Sequence, residues 1–213
     1  MNGFFITLEG TEGGGKSTQI ERLVQRLQAN GNDVVQLREP GGTPISEEIR
    51  HLLKHSDANH NMTAEAELLL MCASRAQLVR EVIRPAMDAG KIVVCDRFYD
   101  STIAYQGYGR GLDLTMVQTV IDLAVGDIRP NLTLFLHVPV ELSESRRASR
   151  EQNGAVVRDR FEEADREFFQ RVENGFEAIL AADLDRMVRV DATGSIDEVQ
   201  GLIWDIVETR MAC

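Results

Sequence analysis

The sequence predicts an α/β fold: a five-stranded parallel sheet flanked by helices, forming one domain over residues 1–213 that carries a small helical lid. Three observations predict it. Short apolar runs recur along the chain, separated by stretches of helical spacing long enough for the right-handed crossovers that parallel strands require. Between the first run, Phe4-Phe5-Ile6-Thr7-Leu8, and the amphipathic segment from Thr18 to Gln28 lies Gly10-Thr11-Glu12-Gly13-Gly14-Gly15-Lys16-Ser17. It matches G-x-x-x-x-G-K-[ST] in the strand, turn and helix order that this pattern needs. A hydrophobic content of 43% over 213 residues suits one sizeable core, and no second core is visible.

The first turn is built for phosphate. Its glycines let the backbone curl so that several N–H groups face one concavity, and the following helix adds the positive end of its dipole. Lys16 would reach the β- and γ-phosphates of a nucleotide as a point charge, while the Ser17 hydroxyl would ligate the Mg²⁺ that bridges them. Lysine is otherwise scarce, with only Lys54 and Lys91 elsewhere, so surface decoration explains this one poorly.

Asn30-Gly31 stops the first helix, and Val34-Val35-Gln36-Leu37 reads as a second short strand. It runs into Arg38-Glu39-Pro40-Gly41-Gly42-Thr43, a forced turn at the carboxyl end of a strand, the edge where open α/β sheets bind ligands. A helix from about Ser46 to Leu53 presents Arg50, and the polar loop from His55 to Asn61 holds histidines without a third partner at metal-ligand spacing. Thr63 caps the longest helical pattern, which runs to Met87 with Glu65 and Glu67 in its first turn. Its apolar side, including Leu68, Leu69, Met71, Cys72 and Val79, is broader than a narrow stripe, so the helix either lies deep in the core or packs on both the core and a partner chain. Arg75 interrupts that side, and small Ala73, Ser74 and Ala76 leave room beside it for a ligand.

Lys91-Ile92-Val93-Val94-Cys95-Asp96-Arg97 is the third strand, ending in an acid and a base. The segment from Phe98 to Gly111, dense in hydrogen-bonding aromatics and glycine, suits a ligand-lining stretch that starts a helix and then turns sharply. A helix from about Leu114 to Val125 leads to a fourth strand, Leu132 to Val138. Glu141 to Glu151 reads as a helix carrying Arg146, Arg147 and Arg150, broken at Gln152-Asn153-Gly154; Arg158 and Arg160 precede a long helix from about Glu162 to Ala181. Two basic helix ends joined by a polar glycine hinge fit a lid at about 141–161 that closes on phosphates, and the interleaved glutamates fit a salt-laced exposed helix pair equally well. Met187-Val188-Arg189-Val190 is the fifth strand; Asp191-Ala192-Thr193-Gly194 then leads to a C-terminal helix capped at Ser195.

A net charge of -11 disfavours a general nucleic-acid or membrane-surface binder, so any phosphate site must be local. Three cysteines, Cys72, Cys95 and Cys213, show no paired metal spacing and form an odd set, which fits free thiols in a reducing compartment. No run approaches the roughly 20 apolar residues of a membrane span, and the N-terminus has no secretory leader pattern; a cytoplasmic location is expected.

Several kinds of triphosphate-using protein share the phosphate loop. The Asn-Lys-x-Asp guanine reader of small GTPases is absent, and motors or helicases need a nucleic-acid surface that the charge disfavours. In excess of nucleotide binding there is a second group of arginines, Arg38, Arg50, Arg75 and Arg97, near strand ends or on the neighbouring helix, as expected if a second anionic substrate sits opposite ATP.

Gly10 to Thr18, Arg38 to Thr43, Ala73-Ser74-Arg75, Asp96-Arg97-Phe98 and Ala104-Tyr105-Gln106-Gly107 together resemble bacterial thymidylate kinases of the P-loop nucleoside monophosphate kinase type, in order and over nearly the whole chain. The resemblance implies phosphorylation of dTMP by ATP with Mg²⁺, in a homodimer. It implies that Gly10 to Thr18 bind ATP, that Arg97 holds the dTMP phosphate with Arg38 and Arg50 close by, and that Glu12 approaches the sugar 3′-hydroxyl. Arg75 and Gln106, helped by Thr102, would hydrogen-bond the thymine edge, and Tyr105 would crowd the 2′ side of the sugar. Asp191-Ala192-Thr193 resembles the adenine-lining loop. Some members carry an arginine beside the loop acid; here Glu12 is followed by Gly13, which leaves the lid arginines as donors to the transferring phosphoryl, Arg150 first and Arg147 and Arg160 behind it. Met71 stands where a phenylalanine often stacks on the base, and His137 where an acid is common, so the metal is left to Ser17, with Asp96 acting directly or through water. Met71 keeps open a kinase for another nucleoside monophosphate, and a non-catalytic ATP-binding regulator is the alternative from another class.

Overall fold

The computed structural model describes residues 3–152 and 165–212. In chain order its elements are β1 (Phe4–Glu9), α1 (Lys16–Ala29), β2 (Val34–Arg38), α2 (Pro44–Lys54), α3 (Ala64–Leu78), α4 (Arg84–Asp88) and β3 (Ile92–Asp96). There follow α5 (Tyr99–Thr102), α6 (Leu114–Val125), β4 (Leu132–His137), α7 (Val140–Gln152), α8 (Arg166–Ala182), β5 (Met187–Asp191) and α9 (Ile196–Met211). The strands form one sheet in the order β2-β3-β1-β4-β5, and every pairing is parallel. Among the described residues no helix is long and apolar enough to cross a membrane.

Both faces of the sheet are covered, which is why the strands read as continuous apolar runs. Ile6, Leu8 and Val94 join one core, packed under α1 and α9, while their neighbours Phe5, Val93 and Cys95 join a second core under α3 and α6. α1 contributes Ile20, Leu23, Val24 and Leu27, the i, i+3, i+4, i+7 stripe of a core-facing helix. α9 opens with a reciprocal capping box between Ser195 and Glu198. The chain goes from β1 to β2 and β3 on one side of it and then crosses to β4 and β5 on the other, so the carboxyl ends of β1, β3 and β4 border a crevice at a topological switch point.

Three elements differ from expectation. α2 begins at Pro44, before Ser46, because Thr43 caps it, accepting from the Ser46 N–H at 3.2 Å with proline at the first helical position. The long helix expected to Met87 is interrupted by a π-helical turn, Val79–Ile83, just before Pro85, which has no N–H to continue the regular ladder. The segment after β3 starts a helix and then turns, as expected, but between the short α5 and the turn at Arg110 and Gly111, the latter at φ +77°, lies a second π-helical stretch, Ile103–Gly109. A third apolar cluster pins this stretch: Phe168, Phe169, Val172 and Phe176 of α8 pack with Tyr105 and Phe135. That packing fixes where Tyr105 and Gln106 stand. The helix expected from Glu162 is described from Arg166, with Asp165 accepting from the Phe168 N–H at 2.7 Å as its cap.

Candidate active site

At the end of β1 the chain must turn against β4. Gly10 has φ +137°, and a Cβ there would lie 2.5 Å from the Leu136 carbonyl oxygen, so only glycine fits. Gly15, at φ +83°, sits at the N-cap of α1 without a side-chain cap, which leaves the first N–H groups of that helix facing the crevice. Lys16 folds back, its Nζ donating to the carbonyls of Gly10 at 3.0 Å and Thr11 at 2.8 Å. Burial, with the charge of Arg97 beside it, pushes its pKa down to about 8. Ser17 Oγ lies 3.3 Å from Asp96 Oδ2, and Asp96 Oδ1 is buried with no hydrogen-bond partner among the described residues. A hydroxyl beside a carboxylate with an unused oxygen suits Mg²⁺, a hard cation that takes one or two protein ligands plus phosphate and water oxygens. Among the described residues no cluster of three or more His, Cys, Asp or Glu could hold a metal by itself.

Arg97 follows β3 with φ +70°, a left-handed conformation that costs a non-glycine residue about 1 kcal/mol or more. The strain turns its guanidinium into the crevice. Nη1 donates to Ser101 Oγ at 2.8 Å, and Nη2 to Glu12 Oε1 at 2.8 Å and to the Tyr105 hydroxyl at 3.2 Å. Tyr105 in turn donates to the other oxygen of Glu12. Burial alone would raise the Glu12 pKa, but Arg97, Lys16 and the Tyr105 hydroxyl outweigh it and bring it to about 2. Beneath them Glu9 accepts from the Phe98 N–H at 2.7 Å and from Ser101; burial and the nearby Asp100 push its pKa up to about 8.

Two clefts meet at Arg97. The larger, about 1610 Å³, runs along the phosphate loop from Glu12 to Thr18 and on past Arg146 to Gly194. The smaller, about 450 Å³, is lined by Met71, Arg75, Thr102, Tyr105 and Gln106. Glu12, Glu39, Lys54 and Arg97 border both, so the two clefts adjoin along these residues. Arg75 does not have the loose surroundings that its small neighbours suggested. It is 2% exposed, its Nε donating to Glu39 Oε2 at 2.8 Å, Nη1 to Thr102 Oγ1 at 2.9 Å and Nη2 to the Phe98 carbonyl at 3.2 Å. Only a long contact of Nη1 to Cys72 Sγ, 3.8 Å, is weak enough to be exchanged for a ligand without loss. Arg38 and Arg50 stand on the larger cleft, held by Glu47 at 3.1 Å and by the Pro40 carbonyl at 2.8 Å.

Of the candidates from the sequence, residues 12–18, Arg38, Arg50, Met71, Arg75, Asp96, Arg97, Thr102, Tyr105 and Gln106 line these clefts, and of the Asp191-Ala192-Thr193 loop Ala192 does. Gly10 and Thr11 stand behind, as the carbonyls that hold Lys16. Residues 153–164, including Arg158 and Arg160, and the side chains of Arg147 and Arg150 lie outside the described residues. Sequence reasoning missed several residues. Ser143 of α7 donates to the Glu12 carbonyl at 2.6 Å and ties α7 to the phosphate loop; Arg146, named from the sequence only as part of that helix's basic run, donates to the Ala192 carbonyl at 3.1 Å. Lys54 and Glu39 border both clefts. Glu67, read as a helix-dipole residue, is wholly buried against Gln106. The available signal was spacing: Glu67, Met71 and Arg75 recur at i, i+4, i+8 on one face of α3.

Known proteins resemble this chain in sequence and fold. The family model described as thymidylate kinase matches residues 8–203. The thymidylate kinase of Syntrophotalea carbinolica is 50% identical over 202 residues, covering 94% of this chain and 93% of its own. That of Synechococcus sp. strain JA-2-3B'a(2-13) is 48% identical over 207 residues, covering 97% and 95%. The crystal structure of thymidylate kinase from Ehrlichia chaffeensis superposes with a TM-score of 0.77 at 32% identity, covering 97% of this chain and 99% of that one.

Proposed function

Given that this chain belongs to the thymidylate kinase family, we propose that its two adjoining clefts hold ATP and dTMP end to end, with the transferring phosphoryl between Lys16 and Arg97. The enzyme phosphorylates dTMP at the expense of ATP, the step that leads toward dTTP. A kinase for a different monophosphate and a non-catalytic ATP binder are not favoured. The observation that supports the site assignment is that the two clefts adjoin, with Arg97 and Glu12 lining both.

In this reading the loop from Gly10 to Thr18 wraps the ATP phosphates, and Lys16 exchanges its carbonyl partners for the β- and γ-oxygens. Mg²⁺, held by Ser17 and by Asp96 directly or through water, would neutralise charge on those phosphates when bound. Arg97 holds the dTMP phosphate with help from Arg38 and Arg50, and its strained backbone keeps the guanidinium aimed before substrate arrives. Glu12, ionised at any working pH, accepts from the sugar 3′-hydroxyl. Arg75, Thr102 and Gln106 read the base edge; Met71 covers its face, and Tyr105, clamped between Glu12 and Arg97, limits the 2′ side. The lid, about 141–161, supplies a cation from Arg150 to the transition state.

A homodimer is supported by apolar side chains left exposed on adjoining helices: Leu69 of α3, 57%, and Leu123 of α6, 78%. Buried free Cys72 and Cys95 support a reducing, cytoplasmic location, which cell fractionation can check. Coupled ADP-release assays over dTMP, dUMP, dCMP, UMP and AMP test the function: dTMP should have the highest kcat/KM, and a higher value for a ribonucleotide would overturn the assignment.

A further inference from the structure

The amide of Gln106 is held from behind. Its Nε2 donates to Glu67 Oε1 at 2.7 Å, and both side chains are sealed from water, Glu67 at 0% and Gln106 at 1% exposure. Arg110 grips the same carboxylate, its Nε 3.2 Å from Oε1 and its Nη2 3.1 Å from Oε2. Glu67 belongs to α3 and Gln106 to the π-helical stretch after α5, so the bond crosses between the two elements that line the smaller cleft.

An amide has two ends of nearly equal size and opposite hydrogen-bonding character. A carboxylate only accepts. Held by two guanidinium donors, Glu67 stays an acceptor, takes the NH₂ end of Gln106 and leaves the carbonyl end for the cleft that Gln106 lines. A carbonyl at that place accepts from the N3–H of thymine. Cytosine has a lone pair at N3, and two acceptors would then face each other in a site with little water.

We propose that Glu67 is a positioning residue for base choice: by fixing which way the Gln106 amide faces, it sets the preference for a base that carries a proton on N3. Glu67 itself touches no substrate. The inference rests on the reading of Gln106 as a contact to the base edge, and it adds a residue that acts only through Gln106.

Glu67→Gln keeps size and shape but can donate as well as accept, so it permits Gln106 to turn over. The dTMP/dCMP ratio of kcat/KM should fall roughly tenfold, the order of one hydrogen bond, through a higher KM for dTMP and a gain for dCMP. The kcat with dTMP and the KM for ATP should stay at wild-type values. The dTMP/dUMP ratio should not move, because dUMP presents the same edge and lacks only the methyl group; a merely loosened pocket would shift it. An unchanged dTMP/dCMP ratio, or a parallel change in dTMP/dUMP, overturns the proposal. Gln106→Ala separates the two levels. If it too leaves dTMP/dCMP intact, Gln106 does not read the base and the reading beneath is wrong; if it lowers the ratio while Glu67→Gln does not, only the positioning role fails. Should Glu67→Gln not fold, the wild-type enzyme decides. The side-chain ¹H–¹⁵N pair missing from the Gln106→Ala spectrum should exchange slowly with solvent, with and without dTMP, and fast exchange in the dTMP complex overturns the proposal.

Discussion

Three groups with shifted protonation, Lys16, Glu12 and Glu9, meet around Arg97, and their roles separate by measurement. In the proposed arrangement the lysine stabilises the transferring phosphate, so Lys16→Ala should act mainly on kcat, and Arg150→Ala should lower kcat by a factor on the order of 10³ with little effect on ATP affinity. Arg97→Ala should also raise the KM for dTMP strongly, because it removes the acceptor's anchor. Near wild-type kcat/KM in Lys16→Ala or Arg97→Ala would refute those roles, and an active Arg150→Ala would refute Arg150 as the donor to the transferring phosphoryl. Lys16 makes a second prediction. In the free enzyme burial and Arg97 hold its pKa at about 8, and bound phosphates favour the ammonium form and raise it. At about pH 9 the free lysine is mostly neutral and the bound one charged, so ATP binding should take up a proton; near pH 7 both are charged and the uptake should vanish. Calorimetry in buffers of different ionisation enthalpy measures this, and an absence of uptake at about pH 9, or its survival in Lys16→Met, would contradict it. Lys16, Ser17 and Arg97 were legible in the sequence as neighbours in one crevice because a glycine turn and a strand end place them at the carboxyl edge of the sheet. Glu67 and Glu39 were not, since an acid inside an apolar helix or a turn motif looks solvated until its buried partner is known.

At the scale of elements, strands and crossovers were readable because a sheet covered on both faces writes itself as apolar runs. The π-helical turns were not. Val79–Ile83 and Ile103–Gly109 follow ordinary helical sequence, and their widening depends on Pro85 in one case and on the Phe168 and Phe176 packing in the other. The breadth of the apolar side of α3 has a physical outlet in Leu69, which is exposed, while Leu68 and Cys72 face the core. If α3 forms part of a homodimer face, light scattering at micromolar concentration should give about twice the chain mass, and Leu69→Glu should shift it toward the monomer. A clean wild-type monomer would remove that role.

Taken as a whole, the molecule is acidic, with a net charge of -11, and the phosphate loop shares one crevice with Arg38, Arg50 and Arg97. The parallel sheet brings the ends of β1, β2 and β3 together there, so that Glu12, Arg38 and Arg97, distant in sequence, border the same continuous space. The central claim is that this space is one site for two nucleotides held end to end. A bisubstrate compound, adenosine and thymidine joined through a chain of phosphates, tests it most directly in steady-state inhibition. The account predicts competition against ATP and against dTMP alike, with affinity greater than for either nucleotide alone; competition against only one of them would contradict a single joined site.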